Sequence, residues 1–282
     1  MKQIENKKYP SIPYKGSKSR LASKILNAIY SHSKPFDTFY DLFGGGGAMS
    51  ICALESGDNV VYNELDSGVA NLMEHLKNRG DIPTEWVSRD KFMEYKDGDD
   101  WYSGYIKCIW SFGNNQKNYI YGKNVENNKK TAHEYLIKNG YDGTSKTRIP
   151  LLKEFDSTGV LGYKLQNLIG TERLESLERL ESLKEFNSPD KMTIENRSYD
   201  KVFIKPNAVV YCDPPYKGTN KYPKDIDHNK FYQWCLDQNV PVYISSYEMP
   251  KDFEIIASFD HTSSLSAKVT KKVIENLYWN GK

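Results

Sequence analysis

The segment Asp213-Pro214-Pro215-Tyr216 holds the residue types with the most specific chemistry in this chain. Each proline fixes its own φ and lacks an N–H, so the turn is stiff and its carbonyl oxygens stay available as acceptors. The Asp213 carboxylate and the Pro214 carbonyl could hold both hydrogens of an exocyclic amine on a base, as methylation of that amine requires. Tyr216 offers an aromatic face to a base that has left the duplex. The simpler interpretation is a turn after a strand with a structural Asp cap.

The residues before this turn indicate where it lies. Asn207-Ala208-Val209-Val210 is a short β-branched run after Lys205-Pro206, and it predicts a buried strand. Asp213 then follows the carboxyl end of a strand, where open α/β sheets place their chemistry.

A glycine-rich segment is the second candidate site. Residues 38–42 predict an aromatic-rich strand, which runs into glycines 44–47 and then into a helix from Ala48. Glycines let the backbone turn tightly and approach a ligand closely. No Gly-Lys-Ser/Thr follows, which excludes a phosphate loop, and Met49 takes the place of the third glycine of a dinucleotide fingerprint.

An acidic residue follows the next predicted strand, residues 59–63. Glu64 lies 20 residues after Gly44, about the spacing at which an acidic residue reaches a ribose diol in nucleotide-binding units. Asp66 is the rival for this role, but it is better placed to cap the helix predicted over residues 69–77. We therefore expect Glu64 to bind a ribose.

Near the N-terminus, the segment Pro13-Tyr14-Lys15-Gly16-Ser17-Lys18 sets a glycine between an aromatic residue and a lysine. Leu21, Ile25 and Ile29 follow at i, i+4 and i+8 and predict a helix with one apolar face. Lys18 has the charge to bind the carboxylate of a cofactor. Taken alone, the segment favours a helix-entry turn with a solvated lysine.

The composition limits the classes of protein to which the chain could belong. Its 282 residues suffice for one α/β domain and a smaller insert. A formal net charge of +2 does not argue for nucleic acid, so any basic surface must be local. No signal peptide or membrane-spanning run is evident. The four cysteines have no metal-ligand pattern and favour reduced thiols in a cytoplasm: Cys52, Cys108, Cys212 and Cys235.

The remaining chain predicts a helix and further strands. The sequence of residues 172–177 repeats identically at 178–183 and sets a leucine at every third position, which predicts a helix packed over a wide arc. Further strands are predicted at 192–196, 241–247, 253–256 and 271–278.

Together these motifs resemble the Dam-type DNA adenine methyltransferases that use S-adenosylmethionine. An Asp at the first position of the segment 213–216, with the motifs in this order, is similar to the catalytic motif of that family. Relatives with Asn there often modify protein glutamine, and those with Ser often modify cytosine amines. Phe43-Gly44-x-Gly46 fits the family's cofactor loop, and Tyr14 and Lys18 match its N-terminal motif, where Trp is commoner than Tyr.

The resemblance implies a fold and a set of site residues. The fold is a Rossmann-like doubly wound mixed α/β sheet over residues 1–96 and 190–282, with a mainly helical target-recognition domain inserted at 97–189. The catalytic residues are Asp213, Pro214, Pro215 and Tyr216, and no metal is expected. The residues expected to bind S-adenosylmethionine are Tyr14, Lys18, Asp41, Phe43, Gly44, Gly46, Glu64, Ser198, Tyr199 and Asp213.

The candidate insert has the composition of a DNA-contacting segment. From Lys117 to Lys153 it holds eight Lys or Arg against three Asp or Glu, with tyrosines interleaved. Such residues suit phosphate contacts and base readout, although a solvated helical subdomain would explain any single lysine. Residues 110–115 also resemble phage-borne members of the family. Because the family inserts its recognition domain here, we expect DNA contacts from Asn115, Lys117, Lys129 and Lys130.

The expected function is methyl transfer to N6 of adenine at specific sites in double-stranded DNA. Methylation of RNA adenine or of a protein amide is the first alternative, and Asp213 in place of Asn argues against the amide. A catalytically inactive DNA-binding relative is the second, and cofactor binding would separate it from the enzymes. A cognate restriction nuclease that acts independently stays open as a further partner.

Overall fold

The computed structural model describes residues 2–139, 172–185, 187–216, 226–266 and 269–282. The part of the predicted basic stretch from residue 140 to Lys153 lies outside these described residues.

The described chain forms one seven-stranded sheet in the order β3-β2-β1-β4-β5-β7-β6. The first five strands in this order are parallel, and β7 runs antiparallel to both β5 and β6. The strands are β1 Thr38–Asp41, β2 Asn59–Asn63, β3 Met192–Glu195, β4 Ala208–Cys212, β5 Val242–Ser246, β6 Glu254–Ser266 and β7 Val269–Trp279.

The helices connect the strands and cover the sheet. The α-helices are α1 Ala22–His32, α2 Ala48–Glu55, α3 Ser67–Lys77, α4 Arg89–Tyr95, α5 Trp101–Ile109, α6 Glu126–Asn139, α7 Glu172–Leu183 and α8 His228–Asp237. Short 3₁₀ turns lie at Phe112–Asn114, Pro189–Lys191 and Tyr199–Lys201.

Successive strand residues enter two hydrophobic cores, one on each face of the sheet. Val209 and Tyr211 join the core that includes α1, α2 and α3, whereas Val210 and Cys212 join the core built with α8. This alternation follows from the period of two in a strand, and strands covered on both faces are typical of a doubly wound sheet. The predicted doubly wound mixed α/β fold is confirmed.

Most predicted elements occupy their expected places. The strands that lead to Gly44, Glu64 and Asp213 are present, and the buried residues of α1 include Ile25 and Ile29. The leucine-repeat segment is helical, with Leu177, Leu180 and Leu183 buried in the first core. These last three positions are each three residues apart, which agrees with a wide packed arc.

The last two strands are longer than their sequence indicated. Segments 253–256 and 271–278 were the predicted strands, but β6 continues through Ser266 and β7 begins at Val269. The additional part of β6 is rich in Ser, Thr and other polar residues and therefore resembles a loop in sequence. Its backbone groups pair with β7 in an antiparallel hairpin, which provides the hydrogen bonds that the side-chain pattern does not signal.

The first part of the predicted insert packs closely against the sheet's own helices. A Cβ added to Gly104 in α5 would lie 1.9 Å from the carbonyl oxygen of Gly68 in α3, so the two helices cross through glycines. Buried residues of α5 and α7 belong to the same core as α3. The boundaries at 97 and 189 stay a prediction.

The four cysteines are buried free thiols. In the parts of the chain that the structure describes, no helix combines the length and the apolar character that crossing a membrane requires.

Candidate active site

The carboxyl ends of β1, β2, β3 and β4 lie at one edge of the sheet. There the side chain of Asn63, the last residue of β2, forms hydrogen bonds with the segments that follow β1 and β3. Its amide nitrogen donates to the carbonyl oxygens of Leu42 and Arg197, both at 3.0 Å, and its Oδ1 accepts from the N–H of Arg197. The order of strands reverses beside β1, which is the place where open α/β sheets form a crevice for ligands. The site residues therefore project from a rigid edge.

The glycine-rich loop packs against the ring of Tyr62 at this edge of the sheet. A Cβ at Gly44 would lie 2.3 Å from that ring, and the Tyr62 hydroxyl donates to the carbonyl of Gly45 at 2.7 Å. Gly47 precedes α2 with a φ of 79°, in the left-handed region that glycine adopts without strain. The loop needs glycine at position 44 for space and at position 47 for backbone conformation.

Glu64 is held at the start of this loop by two backbone donors. Its carboxylate accepts from the N–H of Gly45 and from the N–H of Asp66, both at 2.8 Å. Glu64 is buried, and burial raises the pKa of its carboxyl above the ordinary value. Two donors fix its orientation and leave lone pairs that can accept from a ligand.

Asp66 performs the capping role that the sequence predicted. Its side chain accepts from the N–H of Val69 at 3.1 Å in the first turn of α3. The same carboxylate is 2.8 Å from Nζ of Lys107, a buried lysine in α5. Asp66 thus acts as a helix cap and as the ion-pair partner of Lys107, and Glu64 stays the predicted ribose ligand.

The ten predicted cofactor residues all line one cavity of about 580 Å³. This size is within the range of pockets that hold a drug-sized ligand. Glu64 and Asp213 thus belong to the same site although they lie far apart in sequence. The ten residues are Tyr14, Lys18, Asp41, Phe43, Gly44, Gly46, Glu64, Ser198, Tyr199 and Asp213.

The catalytic candidates surround the ammonium group of Lys18. Nζ of Lys18 is 2.8 Å from Oδ2 of Asp213 and donates to the hydroxyl of Tyr216 at 2.8 Å. The Tyr216 hydroxyl also donates to Oδ1 of Asp213 at 3.3 Å. A second carboxylate, that of Glu275 in β7, is 3.3 Å from the same nitrogen. Lys18 is buried by these contacts, unlike the solvated lysine that its segment alone suggested.

Burial and neighbouring charges change the acidity of this cluster. Burial raises the pKa of Asp213 to about 6; Lys18 opposes this shift, and the charge of Glu275 adds to it. Burial lowers the pKa of Lys18, but Asp213, Tyr216 and Glu275 outweigh it, so the pKa lies well above its usual range. Lys18 is therefore a cation, and the pKa of Asp213 lies well above that of an ordinary aspartate.

Asp41, at the end of β1, is a third carboxyl at this edge. It accepts from the hydroxyl of Ser50 at 2.7 Å. Burial raises the pKa of Asp41 to about 7; the Ser50 hydrogen bond opposes this, and the charges of Asp213 and Glu64 add to it. The charges of Glu64 and Asp213 therefore both act on Asp41.

Tyr216 packs against a second tyrosine at the end of β5. Its ring centroid is 4.5 Å from that of Tyr247, and the two planes are inclined by 50°. Pro215 lines the cavity, and the buried Pro214 lies between it and Asp213. The chain that follows Tyr216, residues 217–225, lies outside the described residues.

The far end of the cavity is aromatic. The ring of Tyr199 stacks on Phe43 with centroids 5.7 Å apart, and Phe231 of α8 meets both rings edge-on. Ser198 lines the cavity and directs its hydroxyl to the carboxylate of Asp200. This end offers flat apolar surface beside a few polar groups, which suits a heterocycle.

The four predicted DNA-contacting residues occupy two places. Lys117 is exposed at the cavity, and the side chain of Asn115 accepts from the backbone N–H groups of Lys117 and Asn118. Lys129 and Lys130 lie on α6, where Lys129 faces the ring of Tyr121 and Lys130 is 3.7 Å from Glu134. The structure therefore brings one of the three lysines to the cavity.

Some residues of the site were not among those predicted for it. Glu275 lies on the buried face of β7 together with Leu277, whereas the adjacent Ile274 is exposed. A carboxylate on the buried face of a strand was the signal that could have identified it. Lys107 and Gln116, which also line the cavity, come from the predicted insert.

A doubly wound sheet with an antiparallel seventh strand, carrying this acidic turn at the end of β4, is the architecture of class I methyltransferases. Residues 14–233 match the family of D12 class N6 adenine-specific DNA methyltransferases. The match covers most of the chain, so this protein belongs to that family and is an adenine-specific DNA methyltransferase.

Comparison with solved structures includes a Pyrococcus horikoshii protein described as a "putative RNA methyltransferase". The similarity covers 99% of this chain and 91% of that one, with a TM-score of 0.41 and 13% identity. A search of curated proteins finds no match to this sequence.

Proposed function

We propose that this adenine-specific methyltransferase takes its methyl group from S-adenosylmethionine and methylates adenine at specific sites in double-stranded DNA. The observation that supports this most directly is the position of Asp213. Its carboxylate lies at the end of β4 and lines the same cavity as Glu64. A methyl donor bound near Glu64 and a base held by the turn at Asp213 would therefore meet.

The residues of the cavity fit S-adenosylmethionine. The carboxyl groups of Asp41, Glu64 and Asp213 line it and can accept hydrogen bonds from the hydroxyl and amine groups of such a ligand. Glu64 would accept from the ribose hydroxyls, and Phe43 and Tyr199 offer rings to the adenine. When bound, this cofactor supplies an electrophilic methyl group on a positively charged sulfur.

The turn at Asp213 would prepare the target amine for attack. Among the described residues, Oδ1 of Asp213 has only the long 3.3 Å contact with Tyr216, so it can accept a hydrogen from the amine. The Pro214 carbonyl would accept the other hydrogen, and Tyr216 would stack on the flipped base. With the amine held in this way, its nitrogen would take the methyl group from the sulfonium, which would leave as a neutral thioether, and would then lose one proton to solvent.

Expression in a host that lacks DNA methylation tests the proposal as a whole. We expect N6-methyladenine at one recurring sequence across the host genome when modified adenines are mapped. A variant with Asp213→Asn, expressed to the same level, is the control for host activity. Methylated adenine confined to RNA, or methylation without any sequence preference, would contradict the proposal.

The first residue-level prediction concerns the ribose ligand. Glu64→Ala should weaken S-adenosylmethionine binding by roughly 1.5–3 kcal/mol, the range for a hydrogen bond to a charged group. Isothermal titration calorimetry measures this affinity directly. Because Glu64 also orders the N–H groups of Gly45 and Asp66, a thermal melt must show that the variant is folded.

Asp66→Asn is the matched control for this prediction. An amide oxygen at position 66 can still cap α3 and accept from Lys107, but the ion pair with Lys107 is lost, so a thermal melt must accompany this variant as well. We expect its affinity for the cofactor to fall less than that of Glu64→Ala. A larger loss in the Asp66 variant would assign the ribose to Asp66 and contradict the role of Glu64.

The second prediction concerns DNA contacts of the insert. We propose that Lys117, Lys129 and Lys130 bind phosphates, which fits their exposed or half-buried positions. Each lost phosphate contact should reduce the salt slope of DNA binding by about 0.9. Lys129→Gln with Lys130→Gln should therefore reduce it by roughly 1.8, as measured by fluorescence anisotropy across a salt series.

A charge-matched control uses lysines at the opposite edge of the sheet. Lys34 and Lys205 are exposed and precede the amino ends of β1 and β4. Their joint replacement by Gln should leave the salt slope unchanged. Equal slopes for the two double variants would show that Lys129 and Lys130 form an ordinary solvated helix face.

A further inference from the structure

A second buried carboxylate lies beside the catalytic turn. Glu275 is 1% exposed, and its Oε1 is 3.3 Å from Nζ of Lys18. The next residue, Asn276, pairs with Ser246 at the carboxyl end of β5, so Glu275 extends just past the active edge of the sheet. The buried ammonium group of Lys18 therefore forms ion pairs with two carboxylates, those of Asp213 and Glu275.

Lys18, Asp213 and Glu275 together carry one net negative charge when all three are ionised. Lys18 and Asp213 alone would form a neutral pair, and a second buried carboxylate adds one negative charge. Burial of a carboxylate is unfavourable unless a cation compensates it. The methylation of an amine provides such a cation, because positive charge develops on the nitrogen as its bond to the methyl carbon forms.

We infer that Glu275 is a positioning residue for methyl transfer, which acts by binding the ammonium group of Lys18. By sharing the charge of Lys18, Glu275 leaves Asp213 enough negative charge to stabilise the nitrogen as it becomes positive. Without the charge of Glu275, Lys18 would neutralise Asp213 and make it a weaker acceptor. This inference rests on the proposed role of Asp213.

The electrostatic surroundings of Asp213 support this division of roles. Lys18 and the Tyr216 hydroxyl contact its carboxylate, and the charge of Glu275 acts on it. The charge of Asp213 in turn raises the pKa of Asp41 and of the Tyr211 hydroxyl. Among these groups, Lys18 lowers the pKa of Asp213 and Glu275 raises it. Loss of the charge at position 275 should therefore move the titration of Asp213 to lower pH.

The test compares Glu275→Gln, which keeps the shape and removes the charge, with the wild-type protein. The assay is single-turnover methyl transfer to duplex DNA as a function of pH. We expect the rate at neutral pH to fall about 10- to 100-fold, less than for a group that touches the reacting nitrogen. The midpoint of the acidic limb should shift to lower pH, and the affinities for DNA and S-adenosylhomocysteine should change by less than about threefold.

Two further variants separate charge from packing. Glu254→Gln, at an exposed position on the neighbouring strand β6, should behave as the wild type. If Glu275→Gln does not fold, Glu275→Asp and Glu275→Asn make the same comparison, because they differ from each other in charge and have nearly equal size. We expect the Asp variant to be the faster of the two.

Each outcome has a definite meaning. A reduced rate with a shifted acidic limb and retained affinities supports the inference. A wild-type rate in a folded Glu275→Gln variant would overturn it, as would a reduced rate with an unshifted limb or equal rates for the Asp and Asn variants. In each of these cases, methyl transfer by the wild-type protein in the same assay would still support the proposed function. If the wild-type protein transferred no methyl group, both the inference about Glu275 and the proposed function would be overturned.

Discussion

Asp213→Asn is expected to lower the single-turnover rate of methyl transfer to duplex DNA by about 10²- to 10³-fold. The substitution keeps the size of the side chain but replaces a charged acceptor with a neutral amide. Because the interaction with the amine strengthens as positive charge develops, its loss should affect turnover far more than binding. The measurement is transfer of labelled methyl groups to a duplex that contains the mapped target.

Binding measurements with the same variant provide the control. The affinity for DNA should stay close to that of the wild type, since the insert is unchanged, and the affinity for S-adenosylhomocysteine should fall far less than the rate, since Glu64 is unchanged. The neutral amide at position 213 would also lack the charge interaction with Lys18, so a thermal melt should accompany the kinetics. A near-wild-type rate in the folded variant would exclude the proposed role of the turn.

The same role predicts a pH dependence. Asp213 accepts a hydrogen from the amine only when it is ionised, and its pKa is raised to about 6 by burial. The rate should therefore rise with pH through about 6 and level off above it, falling about tenfold per unit below that value. The acidic limb should be absent in Asp213→Asn, and its persistence there would assign it to another group such as Asp41.

The order of the motifs, together with the family that they resemble, predicted the parallel part of the sheet. Strand, glycine loop, strand and acidic residue alternate with helices in residues 38–77, and a parallel sheet brings the carboxyl ends of such strands to one edge. This is why Glu64 and Asp213 could be assigned to one site without any knowledge of their distance.

Contacts between distant segments could not be predicted in the same way. Lys18 and Asp213 are 2.8 Å apart in the structure, but nothing local to either segment indicates the other as its partner. Glu275 enters the cluster only because β7 pairs antiparallel with β5, and side-chain patterns do not fix that register. The crossing of α3 and α5 through Gly68 and Gly104 is likewise a tertiary packing feature.

Lys18→Met is expected to cause the largest loss of stability among single substitutions at the site. Methionine fills a similar volume but removes the cation that faces Asp213 and Glu275, whose side chains are 20% and 2% exposed. Breaking a buried ion pair by removing one partner costs about 3–5 kcal/mol. At about 2–4 °C per kcal/mol for a chain of this size, the melting temperature should fall by roughly 6–20 °C.

This loss should depend on pH in a defined direction. Lys18 lowers the pKa of Asp213, so its removal raises that pKa further above the unfolded value. A carboxyl whose pKa is raised in the folded state contributes stability that is present below the unfolded pKa and is lost as pH rises through the folded pKa. The deficit of the variant should therefore be small near pH 4 and reach its full size at about pH 7–8.

Removal of all three charges distinguishes electrostatics from packing. Lys18→Met with Asp213→Asn and Glu275→Gln removes all three of these charges together, and neutral replacement of a buried ion cluster is often neutral or stabilising. We therefore expect the triple variant to melt above Lys18→Met at pH 8, although it has two more substitutions and no activity. If the triple variant melts lower still, or if the deficit of Lys18→Met is constant with pH, then lost packing rather than unpaired charge explains the instability.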